Sequence, residues 1–273
     1  MDTTNNKSAN SAGSELSEQI KAVTKDSHIR AENTQLMANF QKGEITLPQY
    51  KLLLCSLYEI YQVLEEELDK NSAHPAVEPI YFPQELARIE SLERDLEHFF
   101  GPQWKQRVIV PAATHRYTER LREIGKNSPN LLVAHTYTRY LGDLSGGQVL
   151  GKIAQKTLGL GGTEGVAFFT FPGVTSPHRF KQLYRSRMNS IELTEEECRK
   201  VLDEAVRAFE FNIGVFEDLQ KMLSITEQAA GGSGREKAPT TTLLTAISRS
   251  SVAQFTLGAC VALATVGMGI YAF

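Results

Sequence analysis

A histidine with a carboxylate one helical turn ahead and two lysines behind can hold a metal and an anion together. Lys21, Lys25, His28 and Glu32 supply that set, spaced 4, 3 and 4 residues apart. At about 100° per residue they fall in a helical stripe roughly 60° wide. Glu32 can accept the proton of one imidazole nitrogen, fixing the tautomer that offers the other to a metal. A lone histidine cannot build a structural zinc site, which takes four ligands, but it can be the axial ligand of a heme. The competing reading is a solvated polar face.

The second set lies in YLGDLSGGQVL, residues 140–150. Gly142, Gly146, Gly147 and Gly151 interrupt a stretch that is otherwise helical. Each glycine costs a helix about 1 kcal/mol relative to alanine. Gly142 and Gly146 stand one turn apart and leave the backbone bare, so a flat group can lie against it. A tight helix–helix crossing would use the same glycines. The adjacent pair predicts a kink. The pattern is not GxGxxG and no strand precedes it, so a dinucleotide site is excluded. Asp143 needs a donor or water as partner on such a wall, and can organise water beside a reactive centre. Tyr137 and Arg139 lie just before it, and Tyr61 is a further candidate for one polar network. In PHRFKQLYRSRMNS, residues 177–190, Lys181 and Arg185 are a turn apart among His178, Arg179 and Arg187. They can clamp carboxylates or dock an acidic partner, unless they form only a solvated basic face.

Helices must position these groups. Thr194-x-x-Glu197 is a capping box. Ser128-Pro129 and Ser176-Pro177 put a cap before a proline at a helix start. Pro48 and Pro83 open further helices, Gly101 closes the second, and Gly43 and Gly125 are expected to end others. Only FFTF at 168–171 resembles a strand, and it cannot found a sheet. No repeat appears. The expected class is all-α, with one domain over residues 14–223. The apolar fraction of 41% over 273 residues is enough for a sizeable core. The net charge of −3 gives no sign of nucleic-acid binding. Cys55, Cys198 and Cys260 are odd in number and far apart, arguing against disulfides or zinc.

Residues 1–13 are expected to be a disordered polar N-terminus without a secretory signal. Residues 224–249, with GGSG and APTTT, read as a flexible linker. Residues 250–273 read as a transmembrane anchor, since Val252–Phe273 carries no charge and about 20 such residues span a bilayer. Its small residues offer a weak pattern for self-association.

The sequence closely resembles the animal heme oxygenases over residues 14–223. The resemblance is carried by KAVTKDSHIRAEN (21–33), NFQKGEIT (39–46), SLYEIYQVLEEEL (56–68), LLVAHTYTRYLGDLSGGQVLGKIAQK (131–156) and FFTFPG…FKQLYRSRMNS (168–190). The absence of any Cys-Pro dipeptide matches the inducible form. Gly151 departs from the pattern where a second lysine beside Lys152 is expected.

The resemblance implies heme b sandwiched between a proximal and a distal helix, as substrate and cofactor at once. By that match His28 is the iron ligand, and Gly142 and Gly146 are the distal glycines. Asp143 holds a water network, with Arg139 and Tyr61 in or near it. Lys21, Tyr137, Lys181 and Arg185 bind the propionates, and Lys25 is close to them. The implied reaction takes O2 and electrons from NADPH through a flavoprotein, NADPH–cytochrome P450 reductase. It yields biliverdin, carbon monoxide and ferrous iron, with biliverdin reductase downstream. The implied location is the endoplasmic reticulum membrane, with the catalytic domain facing the cytosol. The rival reading is a heme sensor or carrier without turnover, which needs His28 and the basic clamp but neither Asp143 nor the distal glycines.

Overall fold

A computed structural model of the chain describes residues 15–231, with side chains through residue 224. The expected disordered N-terminus, the anchor at 250–273 and most of the linker lie outside the described residues. Among the described residues no helix is long and apolar enough to cross a membrane, and no strand occurs. FFTF is instead entered by a 3-10 turn, Ala167–Phe169.

Among the described residues ten α-helices carry the fold: α1 Leu16–Glu32, α2 Gln35–Gln41, α3 Leu47–Lys70, α4 Pro83–Leu86, α5 Ile89–Phe100, α6 Ala112–Asn127, α7 Leu132–Thr136, α8 Gln148–Leu158, α9 Pro177–Asn189 and α10 Glu195–Gly231. Two of them form the frame. The core-facing side of α3 buries Tyr50, Leu54, Ile60, Tyr61 and Leu64 almost completely. Helix α10 packs on α1, α2, α3, α6 and α7. It continues past residue 223 to Gly231, into the stretch read as linker.

Local signals explain most boundaries. Thr46 caps α3 in a full capping box with Gln49. Thr194 and Glu197 form the expected box ahead of α10. Ser176 accepts the Arg179 amide at 3.4 Å at the start of α9. Gly43 and Gly101 take positive φ where chains leave helices.

Three expectations need correction, the last two for a tertiary reason. Pro129 opens a 3-10 turn to Leu131 that runs directly into α7, but Ser128 makes no side-chain cap. The helix opened by Pro83 breaks at 87–88, where the Arg88 side chain turns inward and donates to the Leu86, Phe168 and Thr170 carbonyls. Gly125 lies inside α6, where a Cβ would come within 2.9 Å of the Glu67 Cβ. It is there for close packing on α3, not to stop a helix.

Candidate functional site

A cavity of about 720 Å³ opens between α1, α2, α3, α10 and the glycine-rich segment. His28, Glu32, Arg139, Gly142, Asp143, Gly146 and Lys181 line it. With Phe40 and Leu57 also on the lining, the structure gathers on one cavity residues from all five of the stretches quoted above.

On the proximal side α1 is a regular helix. The Nδ1 of His28 lies 3.8 Å from the Glu32 carboxylate, beyond hydrogen-bond length but close enough to orient the ring. Burial lowers the His28 pKa and outweighs the opposing charge of Glu32, so the imidazole is neutral. Phe209 of α10 meets the ring edge-on at 5.6 Å between centroids. Next to it Glu210 binds Arg30 at 2.6 and 3.1 Å and Ser27 at 3.4 Å.

The distal side is not α-helical. Between α7 and α8 run two π-helical segments, Tyr137–Leu141 and Asp143–Gly147, joined at Gly142. The predicted kink is therefore a widened helix, a form that recurs at functional sites. The glycines divide their tasks. A Cβ on Gly146 would meet nothing within 4 Å, whereas one on Gly151 would strike Phe169 at 2.7 Å. Gly146 leaves wall space; Gly151 permits packing. Open wall and close packing are both present, at different glycines.

Asp143 is held from three elements. Tyr61 of α3 donates to its Oδ2. Arg139 stands 3.9 Å from its Oδ1 and donates to the Tyr61 hydroxyl at 3.4 Å. Arg139 also donates to Asn212 of α10, whose amide donates to the Ala208 carbonyl at 2.8 Å. Burial raises the Asp143 pKa, opposed by Arg139 and Tyr61. Burial and the neighbouring carboxylate push the Tyr61 pKa well up, so its hydroxyl stays a donor. Behind them the Tyr117 hydroxyl meets His135 Nδ1 at 3.2 Å, and His135 Nε2 meets Glu204 at 3.0 Å. Arg120 binds Glu204 at 2.6 and 3.0 Å.

The expected clamp is only partly assembled on the cavity. Lys181 reaches the wall and donates to Ser145 at 2.8 Å. Tyr137 and Arg185 lie off the lining but adjacent, and the guanidinium lowers the tyrosine's pKa against a larger rise from burial. The Tyr137 hydroxyl and the Arg185 Nε and Nη2 are buried without a hydrogen bond of ordinary geometry. Lys21 and Lys25 are exposed on α1 and do not line the cavity. Sequence reading missed Asn212, Phe209, Phe168 and Phe169. The one available signal was a buried amide on the apolar run AFEFNIGVF, residues 208–216.

The heme oxygenase family model matches residues 14–218. The chain is similar to a heme oxygenase of Takifugu rubripes, 62% identical over 261 residues that cover 94% of each chain. It is similar to heme oxygenase 1 of Homo sapiens, 46% identical over 94% of this chain and 96% of that one. Among solved structures it is similar to heme oxygenase-1 of the cyanobacterium Synechocystis in complex with heme. That match has a TM-score of 0.73 and 39% identity, covering 80% of this chain and 99% of that one.

Proposed function

The chain belongs to the heme oxygenase family, and from that premise we propose how its own residues degrade heme to biliverdin, carbon monoxide and ferrous iron. One observation carries the reading: a neutral histidine and a carboxylate on a bare glycine backbone share one cavity. The residues fit a heme. The cavity has the volume of a cofactor site, Gly146 leaves its wall open, and Lys181 on its wall offers a cation to a carboxylate.

Bound heme supplies both the iron that activates O2 and the porphyrin carbon that is oxidised. His28 would hold the iron, with Glu32 beside its ring. Lys181 and Arg185, with the Tyr137 hydroxyl, bind the propionates. Lys21 and Lys25, exposed on α1 and off the lining, would meet the same acids only by extending toward the cavity mouth. Gly142 and Gly146 let the macrocycle lie close to backbone. Tyr61 occupies Asp143 Oδ2, so Oδ1 is the oxygen left to hold water beside a bound heme and to relay a proton there. Arg139 and Asn212 keep that carboxylate in place.

Electrons come from a flavoprotein, NADPH–cytochrome P450 reductase, and biliverdin reductase takes the product. An uncharged stretch at 252–273 supports an anchor in the endoplasmic reticulum membrane, with this domain on the cytosolic side. Membrane fractionation of the full chain beside one ending at residue 231 tests this. Equal partitioning of the two would refute the anchor. The lack of Cys-Pro supports the inducible form.

Mixing the protein with hemin and adding a reductant in air tests the function. The expected record is a sharp Soret band that bleaches while a broad verdin band rises in the red. A Soret band that persists would mean a carrier or sensor, and the role of Asp143 would be withdrawn.

A further inference from the structure

Arg139 and Asn212 fix the distal wall at its first half. Its second half, Asp143–Gly147 leading into α8, rests on the loop 165–171. There Phe169 sits against bare backbone. A Cβ on Gly151 would lie 2.7 Å from Phe169 Cβ and 3.0 Å from its Cγ; one on Gly147 would lie 3.6 Å from Cδ1. The first contact is with the root of the ring rather than a movable tip, so only a glycine lets loop and helix meet this closely.

The loop is tied down from outside the distal wall. Asp95 of α5 accepts the Ala167 and Phe168 amides, each at 2.8 Å. Tyr50 of α3 donates to the Gly165 carbonyl at 2.8 Å. Arg88 donates to the Phe168 carbonyl at 3.1 Å and to the Thr170 carbonyl. Asp95 and Arg88 are 0% and 3% exposed. Taking each charge out of water is unfavourable, more than a loop needs whose phenylalanines would bury themselves by packing alone. Phe168 meets Tyr61 edge-on at 5.5 Å, so the same loop touches the donor to Asp143.

We infer that loop 165–171 is a strap that sets the distal helix over the cavity. Phe169 is its contact, and Asp95 and Arg88 are positioning residues that decide which porphyrin edge lies beneath Gly142 and Gly146. The identity of the ligand rests on the proposed function; the mechanics do not.

Hydrogen exchange of the ligand-free protein tests the mechanics. Phe169→Leu, and Asp95→Asn as the milder variant, should speed exchange of amides 142–151 about tenfold and leave α3 and α6 unchanged. No change at 142–151, or a rise matched in α3 and α6, overturns the inference. With heme, the unmodified chain should give one biliverdin isomer and Phe169→Leu a mixture. A single isomer from Phe169→Leu overturns the claim on selectivity. If the unmodified chain leaves heme intact, the proposed function falls, and exchange still decides the role of the strap.

Discussion

The two walls of the cavity are built on opposite plans. The proximal wall is a regular α-helix, and its ligand leans on a residue four positions away, Glu32. The distal wall abandons the α-helix for two π-helical segments. Its carboxylate depends on residues from three elements, Tyr61, Arg139 and Asn212. A metal ligand needs only a neutral nitrogen at a fixed point. A group that handles protons needs partners on every side, because an unpaired buried charge is costly. The contrast predicts that proximal function is lost through one residue and distal function through many.

His28→Ala should have the largest effect. It removes the ligand with little else, so turnover should end and the Soret band broaden, with circular dichroism unchanged. A sharp Soret band in that variant would place the ligand elsewhere. Asp143→Ala should keep the Soret band of bound heme and lower biliverdin yield about 100-fold, diverting the reaction toward peroxidase-type oxidation. An unchanged yield would remove the distal role.

Asn212→Ala sharpens the comparison. It leaves the buried Arg139 short of a partner, a loss of about 1–3 kcal/mol. Turnover should fall while the His28 ligation spectrum stays the same. If ligation shifts as much as turnover, the walls are not separately built. Glu204→Gln should affect the site least and register in stability. Burial works to raise the Glu204 pKa, but hydrogen bonds from His135 and Arg120 hold it at about 2, against 4.5 for the ordinary group. Its contribution is therefore full above about pH 4.5 and drains away as pH falls toward 2. The variant should melt about 2 kcal/mol less stable near neutral pH. It should also show a shallower acid limb in a melting series across pH; parallel limbs would mean that the ion pair contributes nothing.

The same division governs what could be read from the sequence. His28 and Glu32 share a helical stripe, a local fact, and the prolines and caps of α3, α9 and α10 are local too. The π-helical register could not be read, because glycines announce only that the α-helix is weakened. Asn212 escaped notice since its partner is 73 residues away, and one amide in an apolar run looks like noise. Gly125 misled for a related reason. A glycine at a helix end and a glycine under a neighbouring side chain look alike until the neighbour, Glu67, is known.

One turn of α10 has a further consequence. Phe209 bears on the proximal imidazole, and three residues later Asn212 grips the distal guanidinium. Along a helix that spacing is a rise of about 4.5 Å. The turn works as a gauge block, calibrating both jaws of a vice from one piece. Inserting a single residue ahead of Phe209 would swing both contacts around the axis by about 100° together. An insertion ahead of this turn can therefore not retune one jaw alone, whereas a substitution at Phe209 or at Asn212 touches a single jaw.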